Sequence, residues 1–160
     1  MSALPTPRKR RKEARPSELL EAALCLFVEK GFAATRLEDV AARAGVSKGT
    51  LYLYYENKDA LFKAVIQEGI VPVIAENEAI AARHSGCSFD LLELLLENWW
   101  TKIGQTAFAG IPKLMVAEAR NFPELASFYY ENVISRGRAL VGSALRRGME
   151  SGEFRSMDVE

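Results

Sequence analysis

The chain has 160 residues, 49% of them hydrophobic and 26% charged, which is enough to bury a core without covalent staples. Lys and Arg number 21, as do Asp and Glu, and a single His with two Cys offers neither metal-ligand spacing nor an acid–base set for catalysis near neutral pH. No apolar run approaches the ~18 residues of a membrane span, and the start is charged and Pro-broken rather than apolar, so a cytoplasmic location is the default expectation.

The even balance hides an asymmetry. Residues 1–60 hold eleven Lys/Arg against eight Asp/Glu, a net of +3, and the remaining hundred residues are −3. A basic end beside an acidic body suggests two jobs, one of them facing a polyanion. Residues 1–15 carry Pro5, Pro7 and the run Arg8-Lys9-Arg10-Arg11-Lys12. Such a segment is expected to be disordered when free, serving either as a solubilising tail or as an arm that follows DNA phosphates or enters a minor groove. Pro16 and Ser17 then open a helix on which Leu19, Leu20, Ala23, Leu24, Phe27 and Val28 form one apolar stripe. Gly31 ends it after Lys30, a favourable charge at a helix C-terminus. Cys25 lies on this stripe and reads as a buried free thiol.

Residues 35–58 are the most informative stretch. Thr35 reads as an N-cap, with Glu38 completing a capping box. Val40, Ala41 and Ala44 recur at helical spacing, Gly45 can turn the chain, and Ser47 can cap the next helix. The spacing predicts helices over about 37–44 and 48–54. Small Ala41, turn-forming Gly45 and apolar Leu51, at offsets of four and six, are the packing logic of a helix-turn-helix. On the outward face of the second helix, Ser47, Lys48, Gly49 and Thr50 allow close approach to phosphate, and the Tyr52 and Tyr54 hydroxyls can donate to it. Leu53 suits either a thymine methyl or a mild packing contact. Asn57 caps a further helix with Lys58 in its first turn, where a cation opposes the helix dipole; a phosphate partner or an ordinary surface position accounts for it.

That helix runs on through Leu61, Phe62, Val65 and Ile66 until Pro72 breaks or kinks it, and a helical pattern resumes over 71–83. Residues 84–88 form a loop, with Ser88 as the expected cap of the next helix. That helix carries Leu91, Leu95, Leu96, Trp99, Trp100 and Ile103, is apolar nearly all round, and is expected to be central in a bundle. The pattern loosens over 104–110. Pro112 starts a shorter helix, and Pro123 opens a long one that ends near Gly152. No segment has strand period, so the chain is read as all-α.

The segment Gly31 to Phe62, with A-G-V-S-K-G-T-L-Y followed by a second aromatic and N-K-x-x-L-F, closely resembles the TetR/AcrR family of transcriptional regulators. The stretch Pro112 to Leu125 is similar to one subgroup of that family's variable C-terminal domains. The resemblance implies an all-α fold: a disordered basic arm over 1–15, a three-helix helix-turn-helix DNA-binding domain over 16–62, and a ligand-binding and dimerisation bundle over 63–160. It also implies a homodimer on a palindromic operator, usually as a repressor released when a small-molecule effector moves the fourth helix like a lever. The alternative is a helical protein-interaction module without DNA binding. The implied DNA contacts are Thr35, Arg36, Ser47, Lys48, Gly49, Thr50, Tyr52, Leu53, Tyr54 and Lys58. Leu53 departs from the family's usual His, which bears on base preference, and Tyr55 replaces a usual Phe. Similar proteins continue into one more helix where this sequence reaches Asp158-Val159-Glu160, so the last helix is expected to be absent and the face of the 123–150 helix exposed.

No cofactor, metal or catalytic group is expected. For the effector, Trp99, Trp100, Phe108, Met115, Phe128 and Tyr129 are the bulky candidates among the C-terminal helices, with Glu118 or Arg120 as polar anchors. Plain core packing is the competing explanation for each of the six. Trp99 and Trp100 stand about 100° apart on a helix, so at most one can point squarely inward.

Overall fold

The computed structural model describes residues 15–159, which contain helices and turns and no strand. Apart from Arg15, the basic arm lies outside the described residues. α1 (Arg15–Lys30) buries Leu19, Ala23, Leu26 and Phe27, and Gly31 ends it with a φ of +86°, a conformation L side chains rarely adopt. α2 (Leu37–Arg43) and α3 (Lys48–Tyr52) follow, joined through Gly45 at a φ of +66°. α3 is shorter than its sequence pattern predicts: Leu53 and Tyr54 fall in the turn after it.

α4 (Lys58–Gly69) is capped by Asn57, whose Oδ1 accepts from the Ala60 N–H at 2.8 Å. Its face of Leu61, Phe62, Val65 and Ile66 packs against α1. α5 (Val71–Arg83) starts almost at once, because Pro72 sits in its first turn, where the missing N–H costs nothing.

α6 (Ser88–Trp99) departs from expectation twice. Cys87 is its cap, accepting at Sγ from the Asp90 N–H, while the Ser88 hydroxyl is buried and accepts from Arg147 Nε. The helix is also not central. It buries Ser88, Leu91 and Leu95 against its neighbours, but Phe89, Leu96 and Trp100 are exposed because no described element covers that side.

α6 runs on into a π-helical turn at Trp100–Gly104, and a short 3₁₀ turn leads to α7 (Ile111–Glu118). The long final helix expected from Pro123 is α8 (Pro123–Tyr129), a second π-helical turn at Tyr130–Ile134, and α9 (Ser135–Glu150). Ile134 and Val141 on this rod are partly exposed.

One core continues from α1 through α4 into α7 and α8, so position 62, the expected boundary between two units, falls inside a helix. At its centre, Phe27, Phe32 and Phe62 meet with ring centroids 5.4–5.5 Å apart. Full burial of each such ring contributes about 1.5–3 kcal/mol. A smaller cluster of Leu91, Leu95 and Ala144 joins α6 to α9.

Candidate nucleic-acid interface and effector cavity

α3 carries most of the residues expected to meet DNA. Ser47 Oγ caps it, accepting from the Thr50 N–H at 3.1 Å and lying 2.9 Å from the Thr50 hydroxyl, so these two small side chains hold each other at the helix start. The Lys48 ammonium pairs with the Glu38 carboxylate of α2 and lies 5.7 Å from the centre of the Tyr52 ring. The Glu38 contact holds the Lys48 pKa above its ordinary value, and the lysine holds the Glu38 carboxyl below the usual carboxylate value. Tyr52, Leu53 and Tyr54 project outward, and Leu53, at 83% exposure, packs against almost nothing. Its alternative reading as a packing contact therefore fails. Ser47, Lys48 and Gly49 are exposed, and so is Arg36 at the start of α2.

Two residues expected on this face bond to the protein's own backbone, Thr35 from a buried position and Lys58 from a half-buried one. Thr35 is 1% exposed, and its hydroxyl is shared between the carbonyls of Gly31 at 2.7 Å and Leu26 at 3.2 Å. It is neither a surface contact nor the cap of α2. Arg36 occupies the cap position without a side-chain bond, and Glu38 and Asp39 answer the exposed N–H groups through the helix dipole. Lys58 reaches back across the 31–35 turn and donates to the carbonyls of Phe32 at 2.7 Å, Thr35 at 3.0 Å and Ala33 at 3.1 Å. Its ammonium also stands 4.5 Å from the centre of the Phe32 ring. Burial pulls its pKa below the ordinary lysine value, against the charges of Asp59 and Glu118. The carbonyl cradle explains a cation at a helix N-terminus without any phosphate partner.

A cavity of about 370 Å³ opens between α5, α6 and the α8–α9 rod. Trp99 and Tyr129 line it, as expected, together with Ile74, Leu95, Val133 and Leu140. Trp99 faces in and Trp100 out, as their spacing requires; Trp100 lines an open groove of about 810 Å³ with Phe89, Leu96 and Leu145. The other three expected residues do not reach the cavity. Phe108 rests on α4, where a β-carbon at Gly69 would stand 1.9 Å from its ring; Met115 is core; and Phe128 lies under Lys63 of α4, 5.6 Å away. Nor are Glu118 and Arg120 among the lining residues.

Asn77 is the polar lining residue that sequence reading missed. It is 5% exposed, donating to the Leu95 carbonyl and accepting from Asn98 Nδ2 at 2.7 Å. An amide interrupting the apolar stripe of α5 was the available signal. Arg138 stands at the rim. Among the described residues no group of His, Cys, Asp or Glu is arranged to hold a metal, and no helix is long and apolar enough to cross a membrane.

The model for the N-terminal domain of TetR-type bacterial regulatory proteins matches residues 19–65, and that for the C-terminal domain of AefR-like transcriptional repressors matches residues 90–160. The transcriptional repressor KstR2 of Rhodococcus jostii is 29% identical over 152 residues, covering 93% of this chain and 72% of that protein. The uncharacterized regulator YfiR of Bacillus subtilis is 38% identical over 66 residues, 41% of this chain and 32% of that protein. The solved structure of the ketosteroid transcriptional regulator KstR2 of Mycobacterium tuberculosis superposes with a TM-score of 0.75 at 25% identity, covering 93% of this chain and 76% of that one. The helix-turn-helix, the helical body behind it and both family models agree: the chain belongs to the TetR family of bacterial transcriptional regulators.

Proposed function

We propose that this protein is an operator-binding repressor that acts in the cytoplasm as a homodimer and is released from DNA by an effector held in the cavity between α5, α6 and the α8–α9 rod. The observation that carries it is the α3 face: Ser47, Lys48, Gly49 and Thr50 at a capped helix start, with Tyr52, Leu53 and Tyr54 projecting beyond a supported core. Lys48 and the tyrosine hydroxyls suit phosphate, and Thr50 and Leu53 suit base edges. Arg36 joins them from α2, whereas Thr35 and Lys58 serve the fold. The lining supports an apolar effector, since Asn77 already has its partners; an acidic group on it would meet Arg138 at the rim. The M. tuberculosis relative is named for ketosteroids, bulky apolar molecules of this kind. The open apolar groove along α6 and α9 supports pairing of two copies through the C-terminal helices.

Selection of bound duplexes from random DNA tests the reading. Two half-sites in inverted repeat are expected, with binding that weakens steeply as salt rises. A Lys48→Ala, Tyr52→Ala double variant should lose at least about tenfold in affinity and show a salt slope shallower by about one. If that variant holds the selected duplex as tightly as the parent, α3 is not the reading element.

A further inference from the structure

The corner between α7 and α8 grips the turn between α1 and α2. Glu118, the last residue of α7, accepts at Oε1 from the Ala33 N–H at 3.1 Å. Gly31 leaves room for it, since a β-carbon there would stand 3.2 Å from the same oxygen. Phe122, four residues on, sets its ring edge-on to Phe32 with centroids 4.7 Å apart. Phe32 is fully buried and locked to Phe27 and Phe62. Lys58 holds the same turn from α4 by its carbonyls, so the turn has its N–H taken by one element of the body and its oxygens by another.

The corner also leads straight into the cavity wall. Phe122 caps α8; Phe128 lies under Lys63 of α4; and Tyr129 and Val133 line the cavity. From Phe122 to Tyr129 is about two turns, roughly 10 Å, of one continuous helix. The cavity wall and the contact with Phe32 thus lie on one helix with no loop between them.

We propose that Glu118 and Phe122 are positioning residues for DNA binding: they set the α1–α2 turn, and with it α2 and α3, relative to the helical body, and they make the α7–α8 corner the route from cavity to reading head. The inference rests on the DNA-reading role proposed above. Neither side chain belongs to the reading face, so their loss should change affinity without changing the sequence read.

The test uses the full chain, duplexes selected from random DNA, and three variants. Glu118→Ala should lose about tenfold in affinity, within the range usual for coupling between sites, and should return the same half-site on reselection. Glu118→Gln, which keeps an acceptor for Ala33, should stay within about threefold of wild type, and the Ala33 amide should exchange with solvent faster in Glu118→Ala alone. A wild-type chain that selects no duplex at low salt overturns the DNA-reading role, and the positioning role with it. A wild type that selects sites while Glu118→Ala stays within twofold overturns the positioning role alone. Should Glu118→Ala fail to fold, Phe122→Leu decides: affinity within twofold of wild type overturns the proposal, and a larger loss with the half-site unchanged supports it.

Discussion

The hydroxyl proton of Thr35 serves two backbone carbonyls in a space closed to water. A buried acceptor that loses its donor costs about 1–3 kcal/mol. Thr35→Val keeps the shape and removes the donor, so urea denaturation should read a loss of that order, while the half-site returned by selection should not change. A changed half-site would put Thr35 back on the DNA side. The sequence could not have shown this role. A Thr just ahead of an acidic helix start looks like a cap, and only the return of α1 past it supplies the competing carbonyls. Lys58 was illegible for the same reason: its three acceptors lie 23 to 26 residues upstream. Ser47 and Asn57, whose partners lie three residues away, were both legible as caps.

Among the elements, α4 meets its neighbours most tightly at its last residue. The Phe108 ring lies over Gly69 with no space for a methyl group. Gly69→Ala should therefore cost about 1–3 kcal/mol through overpacking, against about 1 kcal/mol regained from the better helix propensity of Ala. Thermal and urea unfolding should show most of that penalty gone in a Phe108→Ala background, a coupling that marks direct contact. Helix positions followed the sequence closely wherever proline or glycine punctuates it, at Gly31, Pro72, Pro112, Pro123 and Gly152. What periodicity did not give was the outer face of α6. An all-apolar helix signals burial on every side. Phe89, Leu96 and Trp100 stay exposed because covering them takes a surface that the described residues lack.

For the whole molecule, acid pH is the telling variable. The carboxyls of Glu29, Glu38, Glu76, Glu78 and Glu153 all lie below the ordinary value of 4.5, each chiefly because a side chain hydrogen-bonds to the ionised form: Arg43, Lys48, Lys102, Arg136 and Ser151 respectively. At pH values between their folded positions and 4.5 the unfolded chain binds more protons. The stability that these exposed pairs contribute is therefore present above about pH 4.5 and lost as pH falls through the folded values. The unfolding temperature should be nearly flat from pH 7 to 5 and drop below pH 4; a midpoint that holds to pH 3 would mean these pairs contribute nothing. The reading head and its helical body were legible in outline, since caps, turn residues and charge asymmetry are local signals. The cavity was legible only in Trp99 and Tyr129, because which faces of four helices converge is decided by packing between distant segments.

The π-helical turn at Tyr130–Ile134 gives the rod a property that its helical appearance hides. Closing hydrogen bonds over five residues instead of four takes up one additional residue, while the helix on either side keeps its phase. A chain shorter by one residue within that turn would still aim Phe122 at Phe32 and Leu140 toward α6, losing only part of the cavity wall. A residue removed from α9 would instead swing everything beyond it by about 100°. One residue can thus be lost at the cavity wall without changing the phase of the helix on either side of it.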